Sequence, residues 1–174
     1  MLVIVTGAIG IGKSTVCQKL VEILRNRGYT CGGILTYKSA DNDILIEDIQ
    51  SGKKETLASS SGIYQGPRTA KYSFNPKGID FGIQAIEEGT SAAFLVVDEV
   101  GYLELRGEGF VKILELIKTD KVGKCILVIR RELLPDFLPQ LLSAASVFEA
   151  TTDNRDQLPL DIGSVLLNDM VKKV

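Results

Sequence analysis

Leu2-Val3-Ile4-Val5-Thr6-Gly7-Ala8-Ile9-Gly10-Ile11-Gly12-Lys13-Ser14-Thr15 is the stretch on which the reading of this chain turns. Its first five residues are apolar and rich in β-branched side chains, which suits a buried parallel strand. Val16, Leu20, Ile23, Leu24 and Arg27 then recur at helical spacing, so a helix is predicted to begin at the Lys13-Ser14 pair. Between the two, Gly7 to Ser14 fits the pattern G-x-x-x-x-G-K-[ST]. Glycines let the backbone wrap an anion and turn N–H groups inward, and the positive end of the new helix adds attraction. Lys13 reaches the β- and γ-phosphates and the Ser14 hydroxyl ligates Mg²⁺ in this pattern. A glycine-rich turn without a ligand would not need strand, loop, lysine and helix all in register. The expectation is a nucleoside-phosphate site whose binding residues are Gly7, Ala8, Ile9, Gly10, Ile11, Gly12, Lys13, Ser14 and Thr15.

Outward from that stretch, Gly28 stops the first helix and a strand follows at 33–37. Ile44 to Ile49 and Glu55 to Ala58 read as two more strands joined by the turns Asp41-Asn42-Asp43 and Ser51-Gly52-Lys53. This is an antiparallel meander, inserted at about 32–58 into an otherwise parallel sheet. From Gly78 a helix carries Ile79, Ile83 and Ile86 and ends at Gly89. A buried strand at 93–97 runs into Asp98-Glu99, and a helix marked by Phe110, Ile113, Leu114 and Ile117 comes next. Cys125 to Ile129 is another buried strand, with Arg130-Arg131 at its carboxyl end. Glu132 to Ala144 has helical spacing that Pro135 and Pro139 shorten or kink. Ser146 to Thr151 is the last strand, and a helix with Ile162, Val165, Leu166 and Met170 follows. Alternation of strands and helices predicts an α/β three-layer sandwich, a mostly parallel sheet with helices on both faces. The 174 residues are read as one domain.

Composition narrows the chemistry. Twenty basic against 22 acidic residues, a formal charge of -2, leave no basic footprint, so no nucleic-acid partner is expected. Apolar runs are strand-length, so no membrane span is expected. The N-terminal apolar stretch has no basic region ahead of it and carries the loop, so it is not read as a signal peptide. Cys17, Cys31 and Cys125 are read as reduced core residues, which points to the cytoplasm. The chain contains no histidine. A histidine base, zinc ligand or triad is thereby excluded, and proton handling falls to carboxylate, Lys, Tyr, Cys or water.

Ligands in such sheets sit at the carboxyl ends of the strands. Asp98, ending an apolar strand, is placed to hold Mg²⁺ through a water, as in a Walker B element. Glu99 follows it and is the candidate base that orients and deprotonates a water. Lys13 and Arg130 are the other candidate catalytic groups; Arg130 reads equally as a γ-phosphate sensor or as a surface ion pair, and Arg131 favours the latter. Arg68 and Arg106 lie in glycine-containing loops and read as solvated charges. Asn154, in Asn154-Arg155-Asp156 after the last strand, is a candidate for the base pocket or for a helix cap. Glu104 is the obvious nearby substitute carboxylate for Glu99.

The motifs in order, Gly7 to Thr15, Gly32-Gly33-Ile34-Leu35-Thr36, Val97 to Leu105 with Phe110, and Thr151 to Arg155, resemble the small P-loop nucleoside-triphosphatase family, of the cancer-related and thermophilic NTPase type. The resemblance spans nearly the full length. It implies a P-loop NTPase fold and slow, Mg²⁺-dependent hydrolysis of ATP, GTP or other NTPs to NDP and phosphate. It further implies Asp98 on the metal and Glu99 activating water. The chain departs from the family at Tyr37-Lys38-Ser39, at the apolar and acidic run Ile44 to Ile49, and at Arg106-Gly107, all around the expected substrate mouth. Two other readings stay open from the residues: a nucleotide or small-molecule kinase, since Gly12-Lys13-Ser14-Thr15 serves both, and a nucleotide-dependent switch protein.

Overall fold

Short runs of β-branched and aliphatic residues bury both faces at the middle of the sheet, as a parallel sheet covered on two sides requires. In the computed structural model, which describes residues 1–119, 121–141 and 145–171 (for Met170 and Val171, the backbone only), β1 (Leu2–Thr6) and β7 (Cys125–Ile129) are buried at every position. Ala144 and the Met170 side chain lie outside the described residues.

The described strands form one eight-stranded sheet in the order β5-β4-β3-β2-β6-β7-β1-β8. Here β2 is Cys31–Lys38, β3 Ile44–Asp48, β4 Lys54–Ser59, β5 Ser73–Phe74, β6 Phe94–Val100 and β8 Ala145–Glu149. From β2 to β8 every pairing is parallel, and from β2 to β5 every pairing is antiparallel. The expected meander is therefore present, extended by the two-residue β5.

Period-two alternation sends successive side chains to opposite faces. Leu2, Ile4, Leu95, Val97, Cys125, Leu127 and Ile129 join one core, which α2 (Pro76–Gly89), α4 (Lys112–Lys118) and the segment 133–141 cover. Val3, Val5, Phe94, Val96, Ile126 and Val128 join the other, under α1 (Lys13–Asn26) and α6 (Leu158–Val171). Asp98, one step beyond Val97, faces the side of α1, where its charge is felt by the buried Cys17 thiol, already pushed up by desolvation.

Two glycines fix how β2 sits. Gly33 adopts φ +97, and a Cβ there would stand 2.1 Å from the Val96 carbonyl oxygen, so neither the conformation nor the space admits a side chain. At Gly32 a Cβ would lie 2.5 Å from Gly89 Cα, which lets the end of α2 press directly on the strand. Asn75 caps α2 by accepting from Lys77 N–H at 3.1 Å, with Pro76 at the first helical position. Between β7 and β8 the expected proline-broken helix is a 3₁₀ turn (Arg131–Leu133), a four-residue α5 (Leu134–Phe137) and a second 3₁₀ turn (Leu138–Gln140). The four-residue α3 (Tyr102–Leu105) has no counterpart in the sequence reading.

Candidate active site

The loop after β1 holds three glycines at positive φ: Gly7 at 144°, Gly10 at 77° and Gly12 at 107°. Gly7 is also pressed on Ala150, whose carbonyl oxygen would be 2.7 Å from a Cβ. Ala8, Ile9 and Gly10 are exposed, and Ile9 keeps 72% of its surface open. Ile11 N–H closes the turn on Ala8 O at 3.3 Å. Helix α1 starts after Gly12 with no side-chain cap, so the N–H groups of Lys13, Ser14 and Thr15 in its first turn are left to a ligand. Lys13 folds back over the loop and donates to Gly7 O at 2.9 Å and Ala8 O at 2.7 Å. Its pKa is lowered, first by burial and then by the charge of Arg130.

Asp98 is fully buried. Its Oδ2 accepts from Thr36 N–H at 3.0 Å and from the Thr36 hydroxyl at 2.9 Å. Its Oδ1 has no hydrogen-bond partner; among the described residues only Thr6 Oγ1 shares that condition. The Ser14 hydroxyl lies near the carboxylate and favours its ionised form. Burial, then the neighbouring Glu99 charge, raise the Asp98 pKa to about 6 against the donors of Thr36 and Ser14. A desolvated carboxylate oxygen with no donor beside a serine hydroxyl is a hard-oxygen site that fits Mg²⁺. No group of three His, Cys, Asp or Glu side chains that could hold a metal is present among the described residues.

Glu99 is, among the described residues, one of two non-glycine residues at positive φ, 71°, and sits where β6 loses register with β7 between Val97 and Val100. The kink turns its carboxylate onto Arg130, whose NH2 is 2.6 Å from Glu99 Oε1. Both partners are about one-third exposed or less. Burial opposes the Arg130 charge, but the hydrogen bond and charge of Glu99 prevail and raise its pKa. Arg130 also lies 5.9 Å from the Tyr102 ring centroid. The chain end of β7 is tied to the loop itself, with Arg131 N–H on Gly7 O at 3.4 Å.

The other residues singled out in the sequence are engaged as follows. Glu104, the possible substitute base, is buried and committed: Oε2 accepts from Gly101 N–H at 2.6 Å and Oε1 from Phe110 N–H at 2.7 Å. It holds α3 and the following turn. Asn154 spends its amide on the turn after β8, accepting from Thr151 N–H at 2.8 Å and donating to Glu149 O at 2.9 Å. Arg131 pairs with Glu149, and Arg106 with Glu108 and the Arg68 carbonyl. A cleft of about 220 Å³ beside the loop is lined by Gly12, Thr15, Val16, Lys19, Arg155 and Asp156. Lys19 and Asp156 pair there at 3.0 Å, and Arg155 donates to Ile11 O at 3.3 Å. Thr36 was legible in sequence only as a member of a motif, because its partner lies 62 positions away.

The strand order, the loop after β1 and the acidic pair ending β6 define a P-loop nucleotide-binding fold. The chain matches the family model described as NTPase over residues 2–163, and it belongs to that family. It is 32% identical to the nucleoside-triphosphatase THEP1 of Methanosarcina barkeri, across 89% of this chain and 91% of that protein. Two solved structures share the fold. The crystal structure of THEP1 from Aquifex aeolicus gives a TM-score of 0.75 at 22% identity, over 95% of this chain and 99% of that one. The solution structure of a human cancer-related nucleoside triphosphatase gives 0.73 at 20% identity, over 95% and 96%.

Proposed function

We propose that this chain is a Mg²⁺-dependent nucleoside-triphosphatase that converts NTP and water to NDP and phosphate, with broad base tolerance, in the cytoplasm. The observation that carries the reading is the end of β6. There a buried Asp98 with one unpartnered oxygen beside Ser14 is followed at once by Glu99, turned out at φ 71° beside the phosphate loop. Family membership supports the substrate class.

The ligand-free groups satisfy one another, and binding exchanges those contacts. Lys13 leaves the Gly7 and Ala8 carbonyls for the β- and γ-phosphates, while the open N–H groups of the loop and of Lys13 to Thr15 take phosphate oxygens. Ser14 and Asp98 Oδ1 are the residues that would hold Mg²⁺, which when bound neutralises charge on the phosphates. Arg130 transfers from Glu99 to a γ-phosphate oxygen, where developing charge holds it more strongly than the carboxylate does. Glu99, released, accepts a proton from a water whose oxygen forms the new bond to the γ-phosphorus as the bond to the β-phosphate oxygen breaks. The proton then leaves with the products. Asn154 holds the turn that presents Arg155 and Asp156 to the cleft, and the cleft receives ribose and base. Its lining holds two charged side chains paired with each other and one on a backbone carbonyl, with no dedicated base reader, which is consistent with broad specificity.

Phosphate release from ATP, GTP, CTP and UTP, each with Mg²⁺ and with EDTA, tests this. Metal-dependent release from several NTPs is expected. Absence of release, with phosphorylation of an added nucleoside or nucleotide acceptor, would make the protein a kinase.

A further inference from the structure

The parallel ladder between β2 and β6 runs from Cys31↔Phe94 to Ile34↔Val97 and stops there. On its other edge β2 continues antiparallel with β3 through Thr36↔Ile46 to Lys38↔Ile44. Beyond the stop, β6 has lost register with β7 as well, and Asp98 sits in the gap. The Thr36 backbone N–H, with no ladder partner on that side, donates to Asp98 Oδ2 at 3.0 Å. The Thr36 hydroxyl donates to the same oxygen at 2.9 Å. Two donors thus converge on one carboxylate oxygen, and the other, equally buried, receives none.

We propose that Thr36 is a positioning residue: it clamps Oδ2 so that Asp98 presents Oδ1, and only Oδ1, to the cation beside Ser14. The inference rests on the reading of Asp98 as the metal-holding carboxylate. A carboxylate on one Cβ has two equivalent oxygens, and its terminal torsion is broad and two-fold. With the backbone donor alone, the torsion about Cβ–Cγ is broader and the lone pairs that face the site are spread in direction. With both donors fixed by β2, one orientation survives, and its free lone pairs are oriented before the ligand arrives. Carboxylate ligands are commonly oriented in this way by hydrogen bonds from behind, and loss of such a donor weakens metal affinity or activity by about 10–100-fold. Gly33 is part of the device, since its φ of +97 and its contact with the Val96 carbonyl set where β2 leaves β6.

Two variants isolate the hydroxyl. Thr36→Val keeps shape and backbone donor; Thr36→Ser keeps the hydroxyl and loses the methyl. Thr36→Ala replaces Thr36→Val if the latter does not melt cooperatively. Mn²⁺ affinity of each NDP complex is read from the electron paramagnetic resonance signal of free Mn²⁺, and NDP affinity is read separately in EDTA. Thr36→Val is expected to weaken Mn²⁺ binding about 10–100-fold, with metal-free NDP affinity unchanged and Thr36→Ser close to wild type. Wild-type Mn²⁺ affinity in Thr36→Val, or a defect in Thr36→Ser equal to that in Thr36→Val, would overturn the proposal and leave Thr36 a strand-packing residue. If Mn²⁺ binding in the wild-type complex is indifferent to Asp98→Asn, the metal reading of Asp98 fails first and the proposal with it.

Discussion

Asp98 shows how one residue couples stability to function. Its carboxyl titrates at about 6 instead of 3.8, chiefly because burial disfavours the charge. The folded state therefore holds this proton more tightly than the unfolded chain does. The contribution of Asp98 to stability falls as pH rises from about 4 through 6 and is constant above. Asp98→Asn keeps an acceptor for Thr36 and removes the charge. In metal-free protein its stability gain over wild type should grow across pH 4 to 6, reaching roughly 3 kcal/mol for a shift of about two pKa units. Chemical denaturation at several pH values measures it, and a constant gap would show that burial of the charge is not the cost. The same substitution should abolish the metal-dependent part of nucleotide affinity. Lys13 differs, since on the proposed reading it meets the phosphates in ground and transition states alike. Lys13→Ala should lower nucleotide affinity and turnover together, which fluorescence titration and phosphate release read in parallel.

At the scale of elements, Glu104 belongs to α3 and not to the chemistry. Replacing it with Ala strands two N–H groups, those of Gly101 and Phe110, that the carboxylate now accepts from. A loss of about 2–6 kcal/mol is expected at about 1–3 kcal/mol per orphaned buried donor. Turnover of the folded fraction should stay within about threefold of wild type, a window well inside the ~10²-fold loss expected when a true base is removed. A larger fall in turnover without a fall in Tm would return Glu104 to the list of bases. Gly33→Ala should cost at least about 2 kcal/mol, from positive φ together with the clash on Val96 O, and thermal unfolding reads it. Local pattern made some elements plain in the sequence. β1 and β7 occupy the residues their apolar runs indicate, and α1 begins at Lys13. The shortening of 131–140 at Pro135 and Pro139 was legible too, whereas α3 was not: at four residues it is too short to show a helical period, and it rests on the Glu104 side chain accepting from Gly101 and Phe110.

Across the whole molecule, the site is assembled from the carboxyl ends of β1, β2, β6, β7 and β8, brought together by a strand order no local pattern encodes. The phosphate loop and the Asp98-Glu99 pair were readable because each is contiguous in sequence. The Thr36 clamp, the Glu99–Arg130 pair and the Arg155 cleft were not, since their partners lie 62, 31 and 144 positions apart. On the proposed reading these contacts divide the labour: loop, Lys13 and Asp98 bind, and Glu99 with Arg130 governs the attacking water. Glu99→Gln tests that division most directly. It keeps shape and a hydrogen bond for Arg130 while deleting the base. The measurement is NTP affinity and single-turnover phosphate release with Mg²⁺, on wild type and Glu99→Gln side by side. Binding within about threefold of wild type and hydrolysis slower by about 10²–10⁴-fold are expected, the range for loss of a positioned base. Hydrolysis at the wild-type rate in Glu99→Gln would contradict the central claim and leave catalysis to phosphate and metal positioning alone.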